Sequence, residues 1–258
     1  MTGPVLAASP ARVRMRFLIL TLAALLGVAA TLSLGRWQLS RAAQKEALQA
    51  EIDAQNRLPA IDLTALPKGT DLVGIEHRQA SVRGHWLAER TVFLDNRQMH
   101  GQQGFFVVTP LQLNGSAAVL LVQRGWVPRN FVDRTALPVI ASPAGMVEVQ
   151  GRIAPPPGKL YEFQGGVPGP IRQNLDVAAF ARETGLPLLP VSLLQTGADA
   201  NPAAGANAGG LQRDWPAANT GVEKHYGYAF QWFGLATLIT ILYVWFQIVR
   251  RYFLPRRR

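Results

Sequence analysis

Two long apolar runs bracket a chain whose middle alternates on a much shorter period. From Phe17 to Leu34, and again from Tyr226 to Val249, no residue is charged. The second run would make a helix of about 36 Å, enough to cross a hydrocarbon core of about 30 Å. The first run holds 18 residues, at the short end of the spanning range. These runs predict membrane-spanning helices over 17–35 and 225–249. Basic residues before the first run, and Ala29, Ala30 and Thr31 near its end, also fit a cleaved signal peptide. Its apolar length exceeds the ~7–15 residues usual there, which favours a retained anchor.

Beyond the first run the period stays helical. Leu39, Ala43, Leu48 and Ile52 recur among strong helix formers, predicting a helical extension over 36–56. Pro59 and Pro67-Lys68-Gly69-Thr70-Asp71 break it. Strands are then expected at Gln79–Gly84, Thr91–Asp95, Gly104–Leu113, Ala117–Val127, Met146–Ile153 and Leu188–Gln195. Asn114-Gly115 is the strongest hairpin signal. Gly125 reads as a bulge or a close backbone approach, with Trp126 in the core. Asp176–Thr184 reads as a helix, with Asn174 or Asp176 as N-cap and Gly185 closing it. Gly197–Gly210, rich in Ala, Asn and Gly, reads as a flexible loop. The fold class is α+β: two terminal spans flanking a mainly antiparallel β domain with a few helices.

Charge changes the picture mainly through its placement. The formal charge is +10, yet residues 36–224 carry eighteen basic against sixteen acidic side chains. The excess sits beside the apolar runs: Arg12, Arg14 and Arg16 before the first, and Arg250, Arg251, Arg256, Arg257 and Arg258 after the second. By the positive-inside rule, residues 1–16 and the basic tail 250–258 are cytoplasmic, and 36–224 is a domain on the outer, periplasmic side. No basic patch interleaved with aromatics marks the middle, so no nucleic-acid partner is expected. The chain has no cysteine. That excludes thiolate copper sites, CxxC redox chemistry and covalent c-type haem attachment. Arginine far outnumbers lysine, a coding bias that fits a bacterial source.

Candidate chemistry is sparse. His85, Glu89 and Asp95 lie in one stretch and would suit an acid–base pair. The simpler reading pairs Arg90 and Arg97 with Glu89 and Asp95 at strand ends, with Trp86 and Phe93 in the core. His77 and His100 fall in loops. Nucleophile elbows, Walker loops and HExxH pairs are absent from the sequence, and no catalytic residue is expected. On a helical wheel, Gly227, Gln231, Gly234, Leu238, Ile241 and Trp245 share one stripe of the second span. His225, Ala229, Trp232, Ala236 and Tyr243 share the opposite one. Small residues let membrane helices approach closely. The Gly227/Gly234 stripe is therefore expected to pack on Ala23, Gly27 and Thr31 of the first span. His225 would then face lipid, a partner or a ligand. It reads either as an interfacial residue in an aromatic belt with Tyr226, Tyr228 and Trp232, which the pattern alone favours, or as an axial ligand to haem iron. In the second reading Trp232 forms an aromatic wall, and Lys224, Arg36 or Arg41 pairs with the propionates. Trp37, with Arg36 and Arg41, also suits an interfacial anchor.

Five segments together resemble a known family. They are Leu34-Gly35-Arg36-Trp37-Gln38, Gly84-His85-Trp86 with Asp95-Asn96-Arg97, Gly104-Phe105 to Thr109-Pro110, Arg124-Gly125-Trp126-Val127-Pro128, and His225-Tyr226-Gly227-Tyr228-Ala229-Phe230-Gln231-Trp232-Phe233. Their order between two spans resembles the Surfeit locus protein 1 family of cytochrome c oxidase assembly factors, in a bacterial member. The resemblance implies a non-enzymatic role in maturing oxidase subunit I, alongside other oxidase assembly or haem A synthesis proteins, in the cell inner membrane. It implies transient binding of haem a, with His225 as the axial ligand to the iron and Trp232, Tyr228, Arg36 and Arg41 around the cofactor. The alternative is a cofactor-free membrane scaffold that stabilises an oxidase assembly intermediate by protein–protein contact.

Overall fold

Helix α1 runs unbroken from Pro10 to Asn56, so the first apolar run and the extension beyond it are one element. No proline interrupts its interior, and Leu, Ala, Gln, Glu and Arg fill most of it. Near the other terminus, α3 spans Val222–Tyr243 and continues as a π-helix over Val244–Phe253. Both are long and apolar enough to cross a membrane. The computed structural model describes residues 10–67, 70–133, 136–161, 169–197, 210–218 and 220–253. Most of the expected flexible loop at 197–210 lies outside the described residues. The chain divides into a helical unit, Met1–Gln49 with Ala217–Arg258, and a β unit, Ala50–Pro216.

In the helical unit α1 and α3 run antiparallel. Thr21 meets Tyr243 (Oγ1 to Oη, 2.8 Å), and at the other end Gln49 Oε1 accepts from the Ala218 amide (2.9 Å). Between Thr31 and Gln49 the covered positions on α1 are Thr31, Gly35, Gln38, Ala42, Lys45 and Gln49. On α3 the matching row is Val222, His225, Ala229, Trp232, Ala236, Ile239 and Tyr243, with Phe233 partly covered beside it. Both series step alternately by three and four, the spacing of a two-helix seam. This corrects the wheel expectation. Ala229 and Ala236 lie in the seam, 2% and 4% exposed, while at Gly227 and Gly234 the position a Cβ would take is open space. On α1, Gly27 and Thr31 do face the partner, Gly27 opposite Ile239; Ala23 stays on the exposed flank.

The β unit is built from β1 (Ile61–Asp62), β2 (Gln79–Trp86), β3 (Val92–Met99), β4 (Gln102–Leu113), β5 (Val119–Pro128), β6 (Val147–Ala154), β7 (Ile171–Arg172), α2 (Val177–Thr184) and β8 (Leu188–Gln195). The strand order is β1-β2-β6-β8-β5-β4-β3-β7, and a further β2–β4 pairing closes β2, β6, β8, β5 and β4 into a barrel. β4 is long enough to serve both arms: Gln102–Val108 pairs with β3 and Leu111–Leu113 with β2. Gly84 stands where β2 has β4 on one side and β6 on the other. A Cβ there would run into the Gln112 carbonyl. The ladders are antiparallel except β1–β2, β3–β7 and β5–β8. Leu111, Leu120, Val82, Ile153 and Leu193 fill one core. α2 lays Phe180 against Val92, Leu94 and Val108 on another. Asp176 caps α2 by accepting from the Ala179 amide, and Gly185 ends it in the left-handed conformation. Gly125, at φ +152°, sits beside the β4–β5 register shift, with Leu211 and Gln212 against it.

Candidate functional site

The helix seam positions His225. It lies one turn into α3 and is half-buried against α1, where its Nδ1 stands 2.8 Å from Gln38 Oε1. A carbonyl oxygen only accepts, so Nδ1 carries the proton in this arrangement. In the neutral ring Nε2 then keeps the lone pair, and it has no partner among the described residues. His225 therefore does not face away from α1, as the wheel implied; it faces α1 and keeps one ring nitrogen uncommitted. Deeper along α1, Gly35 leaves room for the Phe233 ring, and nearer the mouth Ala42 is fully covered. Tyr226 donates to Glu46 Oε1 (2.9 Å) and Lys45 to the Thr220 carbonyl (2.9 Å). These bonds tie the mouth of the seam across both helices.

The other expected site residues divide. Trp232 follows His225 by seven positions, lies on the same seam and is half-buried. Tyr228 is exposed on the adjoining flank. Arg41 lies almost one turn beyond Gln38 on α1, is exposed, bonds Gln44 Oε1 (3.0 Å) and stacks over Trp37 (5.8 Å). Arg36 is two residues before Gln38, about 160° round a helix turning ~100° per residue. It is exposed on the side of α1 away from His225, so the structure does not bring it to this site. Gln38 and Glu46 were not singled out from sequence. A lone polar residue flanked by Gly35 and Ala42 at seam spacing is the signal that would have found Gln38.

In the β unit the charged stretch is spread rather than gathered into one site. His85 and Glu89 are exposed, and no hydrogen bond joins His85 to Glu89 or Asp95 among the described residues. Asp95 pairs with Arg129 (3.5 Å), not with Arg97 as expected from sequence. Arg97 is buried and donates to the Gln173 carbonyl (3.0 Å), while its own carbonyl accepts from Trp126 Nε1 (3.0 Å). Burial pushes the Arg97 pKa down. His100 is exposed beside Asp214 (3.2 Å). Among the described residues no three acidic or histidine side chains are grouped to hold a metal ion.

An apolar helix pair near the termini and, between them in sequence, a barrel-like, mostly antiparallel unit define a two-helix, β-domain protein whose distinctive polar feature is a seam histidine. A sequence model of the SURF1 family matches residues 25–237, which reaches from the first apolar run through the barrel and most of α3. The chain belongs to the SURF1 family. A SURF1-like protein of Drosophila melanogaster is 29% identical over 245 residues, covering 86% of this chain and 75% of that protein. A SURF1-like protein of Rickettsia conorii is 25% identical over 233 residues, covering 86% and 87%. Surfeit locus protein 1 of Arabidopsis thaliana is 32% identical over 117 residues, covering 42% and 33%.

Proposed function

We propose that the protein is an assembly factor for haem-copper cytochrome c oxidase that holds haem a transiently at the mouth of the α1–α3 seam and assists its insertion into subunit I. Family membership implies the role in oxidase assembly. The observation that carries the haem reading is His225 with Nδ1 engaged by Gln38 and Nε2 uncommitted. The residues fit the group. A neutral imidazole nitrogen is a standard proximal ligand. Trp232 supplies a half-buried aromatic face on the same seam, Tyr228 a second ring at its flank, and Arg41 an exposed cation for a propionate. Arg36 takes no part. Haem a is cargo here, and it supplies an iron whose axial position accepts a nitrogen donor. A carrier must also release, and a single exposed-side ligand at a helix mouth suits modest affinity.

In this reading both helices cross the cell inner membrane, over 17–35 and 225–249. Antiparallel packing gathers Arg14, Arg16, Arg250 and Arg251 at one end, which supports cytoplasmic termini and a periplasmic β unit. The scaffold reading keeps one observation of its own. Phe131 and Val132, 72% and 98% exposed, sit on a turn braced by Asn130 and offer an apolar contact surface without any cofactor. Co-expression with haem A synthesis enzymes, followed by purification in detergent and a visible spectrum, separates the two. Haem a bound by the wild type and lost in His225→Ala, with folding intact, is the expected result. No bound haem a, with oxidase assembly still dependent on the protein, would leave the scaffold.

A further inference from the structure

We infer that Gln38 is a positioning residue for His225: its side-chain carbonyl fixes the Nδ1–H tautomer and the plane of the ring, and so presents Nε2 as the only ligating nitrogen. The inference deepens the haem reading and rests on it for its functional meaning; the tautomer itself does not depend on haem.

The geometry is specific. The Nδ1···Oε1 distance is 2.8 Å, and it joins residues 187 positions apart, on different helices. A free histidine side chain has two ring nitrogens and can offer either one. A hydrogen bond from one nitrogen decides which proton stays, and orients the other. Gln38 is held in place by its neighbours on α1. Gly35, three residues before it, admits the Phe233 ring, and Ala42, four residues after it, is fully covered. An amide in such an apolar seam carries a cost unless it is paired, which ties its carbonyl to the imidazole proton. Leu, Met or Ala would pack as well in a seam that had only to hold two helices together. A glutamine facing a histidine has a use that packing alone does not explain. Two neighbouring groups at this mouth are engaged elsewhere: Glu46 accepts from Tyr226, and Lys45 donates to the Thr220 carbonyl.

Bonding to a carbonyl also makes the imidazole a stronger donor toward a metal, because negative charge on the acceptor side is partly shared with the ring. Partners of this kind, when removed from metal-ligating histidines, lower affinity by about 10–100-fold. Gln38→Leu, close in volume but without an acceptor, is expected to weaken haem a binding within that range while leaving the two helices packed. Gln38→Glu restores an oxygen acceptor, and with it the affinity. It should also shift the haem midpoint potential to more negative values than the wild type, because a carboxylate makes the imidazole more electron-rich.

The test has two arms. Nitrogen-15 NMR of the haem-free full chain in detergent, labelled at histidine and assigned through His225→Ala, reads the tautomer directly. The expected result is His225 protonated at Nδ1 in the wild type and in Gln38→Glu, and shifted to the Nε2–H form in Gln38→Leu. Nε2–H in the wild type, or an unchanged Nδ1–H signal in Gln38→Leu, overturns the inference whatever haem does. The second arm titrates haem a into the three proteins. A wild type that binds no haem a while the NMR arm succeeds refutes the haem reading and leaves the tautomer assignment standing. Equal haem affinity in the wild type and Gln38→Leu, with folding matched, refutes the positioning role.

Discussion

Gly35 and Gly234 give opposite answers to the same substitution, and that difference tests the helix seam. In the interior of a helix, Gly→Ala is worth about 1 kcal/mol in favour of the alanine, through backbone entropy alone. At Gly234 nothing lies within 4 Å of the position a Cβ would take, so Gly234→Ala should keep that gain. At Gly35 the new Cβ would lie 2.7, 2.8 and 3.0 Å from three ring carbons of Phe233. Ordinary carbon–carbon contact is about 3.5–4.0 Å, so the ring must swing or the helices must part. Overpacking of this kind costs about 1–3 kcal/mol. Set against the entropic gain, Gly35→Ala should be between neutral and about 2 kcal/mol destabilising. Pairing it with Phe233→Ala should remove the penalty, because the two residues act through one contact. The assay is equilibrium unfolding of the full chain in mixed micelles with a rising fraction of denaturing detergent, read by far-ultraviolet circular dichroism. Equal gains from Gly35→Ala and Gly234→Ala, or a loss confined to Gly234→Ala, would refute the seam. The second outcome would restore the face drawn by the helical wheel.

Further consequences follow for the β unit. Gly84→Ala should destabilise it by about 1–3 kcal/mol, since the closing strand cannot move off the Gln112 carbonyl without opening the barrel; amide hydrogen exchange across β2 and β4 should accelerate. Stability should also fall in acid. The hydrogen bond from Arg172 (Nη1 to Glu183 Oε2, 2.7 Å) holds the Glu183 carboxyl below its ordinary value of 4.5. Lys159 and the Ala179 amide do the same for Asp176, and Thr64 for Asp62. A carboxyl with a lowered folded-state pKa stabilises the fold above its unfolded value, and that contribution is lost as pH falls through the folded one. Denaturation midpoints should therefore drop below about pH 4, and Arg172→Ala should flatten that limb by lowering stability at pH 7 while changing little in acid, where Glu183 is protonated in both proteins. An unchanged acid limb in Arg172→Ala would remove Glu183 from the account.

Where local chemistry decided an element, the sequence showed it. Asp176 and Gly185 mark both ends of α2, Asn114-Gly115 the β4–β5 turn, and Gly125 the irregularity where Leu211 and Gln212 close on β5. The β3–β4 turn was harder, because its first residue is His100, at φ +50°, a conformation that glycine and asparagine usually take. The barrel closure was not legible. The β2–β4 and parallel β5–β8 pairings join segments far apart in sequence, and nothing local encodes their register. The site failed in sequence for a different reason. Glycines mark a packing face on the wheel, whereas Ala229 and Ala236 at seam spacing allow nearly the same approach. Moving the seam by that half-turn carried His225 from the open side to Gln38. The surroundings of His225 are the reverse of those on the wheel, because its partner sits on another helix.

The account stands most directly on equilibrium titration of haem a into the purified wild type and His225→Ala, followed by the shift of the haem absorption band. It predicts saturable one-to-one binding by the wild type and at least a tenfold weaker curve for the variant, at matched helical content. Superimposable curves for the two proteins would contradict it.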